Sequence, residues 1–453
     1  MNRALPCLTL LLTLLTACGG SMTPVQPNGA TPAVEATVQP SVASPPLGVS
    51  VTAAVLSENA ETVTASLHFT APAGGNLPLT VQSVSMNIDS LPAGVSLQML
   101  PIGSDGGGLT VPLSVRGSSS ATQGDAWLKV HLNGQTQVVR LPVLRASSVA
   151  LPAVPAAQGR PFQVAASAPC GQDMLLSAPV NAPLEQRARL LRFTPQTGAF
   201  QGYDLGLAPT EGVTSQLCDP GGLIWLTIRS DDTQGSVIAR LDPASGLLTR
   251  FPVGAVADTL NNLTRSADGR LWFVQYGRDR LGEFDPLTGR VVTHTVAENA
   301  ENLRLGQDGA LYYSQFYAHP AVVRVDPQSG ESRVLSVGNS GKNLPRASVQ
   351  TGGFVWYTDA YTLTLNRLDP LNGLITPVQL PAGAVPGELV ASASGTLWAA
   401  DAARHVLYRL ESGSPEAVTV PLTGGGTDGP RALSVGADGA LWYESGGQLI
   451  RQQ

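Results

Sequence analysis

The sequence predicts an all-β protein, and three observations carry that prediction. Charged residues are only 13% of the 453, while 49 glycines and 35 prolines punctuate runs rich in Val, Leu and Thr, the composition of many short strands joined by turns. Hydrophobic alternation at period two recurs along the chain. A short stretch, Asp268-Gly269-Arg270-Leu271-Trp272-Phe273-Val274-Gln275, returns again and again over the C-terminal two thirds.

The repeat defines the larger part. Turns before an aromatic strand fall at Gly221-Gly222, Asp268-Gly269, Asp308-Gly309, Gly352-Gly353, Ser394-Gly395 and Asp438-Gly439, with a degenerate copy at Gly171-Gln172. Five of the six tryptophans, Trp225, Trp272, Trp356, Trp398 and Trp442, occupy one repeat position, and Tyr312 takes it in the remaining clear copy. One bulky aromatic per unit is what packing of each unit on its neighbour demands. In the third copy the strands are expected around Asn262–Arg265, Leu271–Gln275, Arg280–Phe284 and Val291–Thr295. Between the last two lies an Asp-Pro-x-x-Gly turn, repeated at Asp242–Gly246, Asp326–Gly330 and Asp369–Gly373. Asp caps such a turn, Pro presets φ and Gly takes the left-handed position, so these aspartates read as turn residues, not ligands. Seven four-stranded units of this length predict a seven-bladed β-propeller over residues 147–453. The last copy lacks an outer strand, and Val149-Ala150-Leu151-Pro152 is expected to supply it and close the ring. Cys170 and Cys218 fall at corners of the first two units, where a disulfide would staple adjacent blades, with two buried thiols as the alternative.

Residues 48–146 alternate cleanly at Val49–Thr52, Thr62–Phe69, Leu109–Val115 and Trp127–Leu132, then turn through Asn133-Gly134. About seven strands in about 100 residues suggest an Ig-like β-sandwich. His68 and His131 read as cross-strand residues. Ahead of it, Arg3 and the apolar run Leu5–Leu15 form a signal peptide ending at Leu15-Thr16-Ala17-Cys18. That ending resembles the lipobox of bacterial lipoproteins, which implies cleavage before Cys18 and its acylation; an ordinary signal peptide is the other reading. Residues 19–47 form a Pro/Thr/Ala-rich tether. The expected location is the cell envelope, extracytoplasmic and lipid-anchored. A net charge of −6, with Lys129 and Lys342 the only lysines, excludes a nucleic-acid partner on charge grounds.

The string Asp-Gly-x-Leu-Trp-Phe/Tyr, followed by Arg-x-x-x-Phe-Asp-Pro-x-Thr-Gly in the third copy, resembles the streptogramin (virginiamycin B) lyase family of seven-bladed propellers, over about residues 161–453. The resemblance implies a magnesium-assisted elimination served by histidines at the start of the innermost strands. Here those positions hold Asn262, Asn302, Arg346, Glu388 and Arg431, while His294, His319 and His405 lie elsewhere. The expected function is therefore non-catalytic binding of a protein, peptide or glycan. A lyase-like enzyme with altered catalytic groups and a structural envelope protein are the alternatives.

The candidate site follows from propeller geometry, since innermost strands begin and second strands end on one face. That face gathers Gln275, Gln315, Asp359, Asp401 and Glu444, interleaved with Arg346, Glu388 and Arg431, and walled by Tyr276, Tyr317 and Tyr361. Asp359, Asp401 and Glu444, as carboxylates of consecutive units, are candidate ligands for Ca²⁺ or Mg²⁺. Salt bridges to the arginines, or an inert rim, are the other readings.

Overall fold

A computed structural model describes residues 47–71, 84–104, 108–132, 135–154, 159–230, 235–253, 259–276, 278–296, 300–316, 319–338, 343–411, 414, 416–423 and 428–453. The leader with Cys18, the tether, the Asn133-Gly134 turn and Tyr317 lie outside the described residues. The chain is all-β, with one short helix among the described residues, Leu184–Arg187. No described helix is long and apolar enough to cross a membrane.

From Ala166 onward the strands follow in chain order as antiparallel meanders: five separate four-stranded sheets, then four strands and finally three strands that each belong to a larger sheet. The third unit has strands Thr259–Arg265, Leu271–Tyr276, Arg280–Phe284 and Val291–Thr295. The innermost strands, Ala166–Cys170, Glu211–Cys218, Thr259–Arg265, Ala300–Leu305, Pro345–Thr351, Leu389–Ala391 and Arg431–Val435, each touch the next, and the last touches the first. The row therefore closes on itself.

The repeated aromatic makes the contacts between sheets. Trp272 shares a core with Leu311 and Tyr313 of the following sheet, Trp356 with Leu397 and Tyr408, and Trp398 with Leu441 and Tyr443. Trp442 packs edge-on against Phe193 of the first sheet at 5.3 Å between ring centroids, which carries the packing across the closure. The Asp-Pro turns have the expected chemistry. Asp285 Oδ1 accepts from Leu287 N at 2.8 Å, Thr288 Oγ1 donates to Asp285 Oδ2 at 2.9 Å, and Gly289 stands at φ 71°. Cys170 and Cys218 are joined by a disulfide, with Cα atoms 5.0 Å apart, linking the far ends of the first two innermost strands.

Ring closure uses the expected segment in a slightly earlier register. Ala146–Ala150 pairs antiparallel with Gln448–Gln452, Ser148 opposite Ile450. It is the end of a 16-residue strand, Gln135–Ala150. The first half of that strand pairs with Gly124–Leu132 in the N-terminal part. There, two sheets enclose one core: Leu67, Phe69, Val111 and Leu113 from one, Leu128, Val130, Leu141 and Val143 from the other. Strand Gly48–Thr52 likewise pairs with Glu61–Thr70 on one side and, in parallel, with Val418–Pro421 on the other. Sheets of the N-terminal part thus run directly into the sixth and last units of the repeat. The two parts share strands, so neither has a free edge at the junction.

Candidate functional site

The register confirms that innermost-strand starts and second-strand ends share one face. Leu260 stands opposite Gln275, Ala300 opposite Gln315, Pro345 opposite Asp359 and Arg431 opposite Glu444. The side chains at those ends do not converge. Asp359 is fully buried; its Oδ1 accepts from the backbone N–H groups of Leu344, Tyr361 and Thr362, and its Oδ2 from Asn343 Nδ2. Asp401, also fully buried, accepts from Val385 N at 2.7 Å, Arg404 N at 3.0 Å and Tyr408 Oη at 2.9 Å. Glu444 accepts from Gly447 N at 2.9 Å and from Arg431 Nε. Each carboxylate holds the tight turn after its own strand, a local use of acceptor capacity that caps backbone donors. The metal constellation expected from Asp359, Asp401 and Glu444 is not assembled: among the described residues no three His, Cys, Asp or Glu side chains meet.

The other expected residues divide. Gln275 and Gln315 are buried, the latter donating to His319 O at 2.8 Å. Arg431 is engaged by Glu444 and, at 3.7 Å, by Asp428. Tyr276 and Tyr361 are exposed. His294 lies on an outermost strand, 2.8 Å from Glu283 and stacked on Trp272.

Arg346 and Glu388 do come together, in a cavity of about 300 Å³ that Asn302, Arg304, Ser348, Gly387 and Leu389 complete. All seven belong to innermost strands or their leading ends, so this is the mouth of the channel inside the ring. Glu388 Oε1 accepts from Leu433 N at 3.1 Å. Burial pushes its acid strength down, so its pKa lies above the usual carboxylate range; the Leu433 and Ala432 N–H groups and the Arg304 charge oppose this without cancelling it. Arg346 sits 5.7 Å above the Phe316 ring and makes one long ion pair, 3.9 Å to Glu301. Glu301 is itself raised by burial, against the pull of Arg346. Ser348 is buried, and its Oγ has no partner in the structure.

Sequence reasoning missed Arg304 and Ser348. Each stands two residues beyond a named position, Asn302 and Arg346, so period-two alternation along the innermost strand was the available signal. It was obscured by a bulge: the register shifts between Glu301 and Arg304, where Asn302 adopts φ 58°. Asn262 and Ala432 occupy the same left-handed position at φ 56° and 53°. Asn302 N donates to Asn262 Oδ1 at 3.0 Å, tying consecutive innermost strands. Asn tolerates that conformation better than most residues, which explains its recurrence at this place.

Comparison with known proteins bears on this arrangement through the fold. No family model and no curated protein matches the chain. Solved structures do. Virginiamycin B lyase from Staphylococcus aureus superposes with a TM-score of 0.56 at 15% identity, covering 68% of this chain and 99% of that one. The fold is a β-propeller of the streptogramin lyase type. A streptogramin B lyase structure gives a TM-score of 0.55 at 15% identity over 68% of this chain and 97% of its own. Hydrazine synthase of Kuenenia stuttgartiensis gives 0.51 at 13% identity, covering 63% and 93%. At such identities the likeness is one of backbone, and the chemistry of the channel mouth belongs to this chain's own residues.

Proposed function

We propose that this chain is an extracytoplasmic lipoprotein, acylated at Cys18 and held off the membrane by residues 19–47. Its Ig-like sandwich (residues 48–146) buttresses a seven-bladed propeller (147–453), which binds a protein, peptide or glycan at the channel mouth without catalysing a reaction. The observation that carries the binding role is the cavity at Arg304, Arg346, Ser348 and Glu388. Two guanidinium groups, a carboxylate and an unpartnered buried hydroxyl face one space, a donor and acceptor set suited to a polar ligand group. The carboxylates expected to bind metal are instead consumed by turns, which supports recognition over metal-assisted chemistry.

Two measurements test this reading. Peptide and glycan arrays probed with the full chain should give at least one signal that Arg346→Ala removes and the remote Arg451→Ala leaves. If no signal depends on Arg346, the site is refuted. Labelled palmitate should enter the wild type and not Cys18→Ser; equal labelling would refute the anchor.

A further inference from the structure

A second cavity, of about 430 Å³, opens where the N-terminal sheets meet the sixth unit of the repeat, and Trp127, Gln137, Val138, Arg140, Arg409 and Glu411 line it. It is remote in sequence and element from the channel mouth. Trp127 is 42% exposed, whereas Trp225, Trp272, Trp356, Trp398 and Trp442 are all buried. Val138 beside it is also exposed. An exposed indole at the wall of a cleft offers a flat apolar face with a polar edge.

The floor is polar, and its guanidinium groups are paired. Arg140 pairs with Asp125 at 2.8 Å and reaches Glu411 at 3.6 Å; Arg409 pairs with Glu411 at 2.6 Å. The two guanidinium groups are thus held by Asp125 and Glu411, and Glu416 adds a further carboxylate to the lining, so no cationic group is left over to attract an anionic ligand. Three buried polar atoms there lack a hydrogen bond: Arg409 Nε, a donor, and the acceptors Gln137 Oε1 and Glu411 Oε1, the last held only by its ion pairs. Each is costly to leave unpaired. A hydroxyl group both donates and accepts, so a neutral polyhydroxylated ligand satisfies both kinds of atom, while its C–H face lies on Trp127. A cleft at a junction of two parts, at the small end of the roughly 300–1,000 Å³ typical of ligand pockets, is a usual place for such a ligand. We infer that this cleft binds a neutral sugar, as one or two pyranose rings, independently of the channel mouth.

The test is isothermal titration of the full chain, in a detergent without a sugar headgroup, with glucose, galactose, N-acetylglucosamine, maltose, lactose and cellobiose into the tens of millimolar. At least one sugar should give saturable heat. Trp127→Ala should weaken it tenfold or more. Val138→Arg, a change at an exposed position that places a long charged side chain in the cleft, should do the same. Arg346→Ala should leave it unchanged. Absence of heat from every sugar, wild-type affinity in Trp127→Ala or Val138→Arg, or loss in Arg346→Ala would each overturn the inference. So would binding that appears only when residues 19–46 are deleted, because the chain's own N-terminal segment would then be the occupant.

Discussion

Removing the disulfide should cost a definite and sizeable amount. Cys170 and Cys218 are 48 residues apart. Cross-linking a loop of that length withdraws from the unfolded chain an entropy worth about 4 kcal/mol at 25 °C. Unfolding of the described unit, about 400 residues, carries an entropy of about 0.85 kcal/mol/K near the melting point, so the loss corresponds to a fall in Tm of about 5 °C. Both cysteines terminate innermost strands that also pack on each other in the folded state, so the native contacts should survive and the effect should come from the unfolded side. The assay is thermal melting of the Cys170→Ala/Cys218→Ala variant, followed in parallel by near- and far-ultraviolet circular dichroism. Coincident transitions lowered by several degrees are expected. A fall of less than about 1 °C would refute the reasoning, since it would mean that the unfolded chain already holds these segments together. Separate transitions for the two probes would refute it differently, by showing that the bond holds a sheet interface which the ring cannot hold alone.

Further outcomes follow from the packing and from the site. Gly282→Ala would place a Cβ inside the ring of Phe273, and overpacking of this kind should cost about 1–3 kcal/mol or more in chemical denaturation; a neutral result would show that the third sheet can part from its neighbour. Asp401→Asn presents an amide to backbone donors that now meet a carboxylate, so stability should drop by about 1–3 kcal/mol, and Ca²⁺ or Mg²⁺ should raise the Tm of neither protein. A cation-dependent rise in the wild type alone would restore the metal reading. Because Glu388 has a raised pKa in the folded state, its contribution to stability is present below about pH 4 and is lost as pH rises through the raised value. Glu388→Gln should therefore gain on the wild type in melts between pH 4 and 8, with the difference vanishing at the acid end. A pH-independent difference would contradict the burial argument.

How much of this was legible in the sequence depends on the range of the interaction concerned. The turns are local. Asp242, Asp285, Asp326 and Asp369 each fold back on backbone two or three residues away, and their spacing marks the units without tertiary information. The aromatic position is nearly as plain, because every unit faces the same packing problem. Even ring closure was legible to within a few residues, since a unit short of one strand must borrow one and only the preceding segment had the pattern. Side-chain direction at the channel was not. A β-bulge in several innermost strands shifts the register by one, and one residue is enough to turn a side chain from one face to the other.

The sequence by itself determined the all-β class, the repeated four-strand unit and its turns, because each rests on chemistry repeated within a unit; it left Cys170 and Cys218 as a disulfide or two thiols, which the 5.0 Å between their Cα atoms decided. The tertiary structure decided the rest. It directed Asp359, Asp401 and Glu444 into their own turns, where nearby backbone N–H groups are the strongest available partners for a buried carboxylate. It brought Arg304, Arg346, Ser348 and Glu388, from three consecutive innermost strands, to a single cavity. It also ran Gln135–Ala150 through both parts of the molecule. Those outcomes depend on register and closure across the whole ring, and no local pattern encodes them.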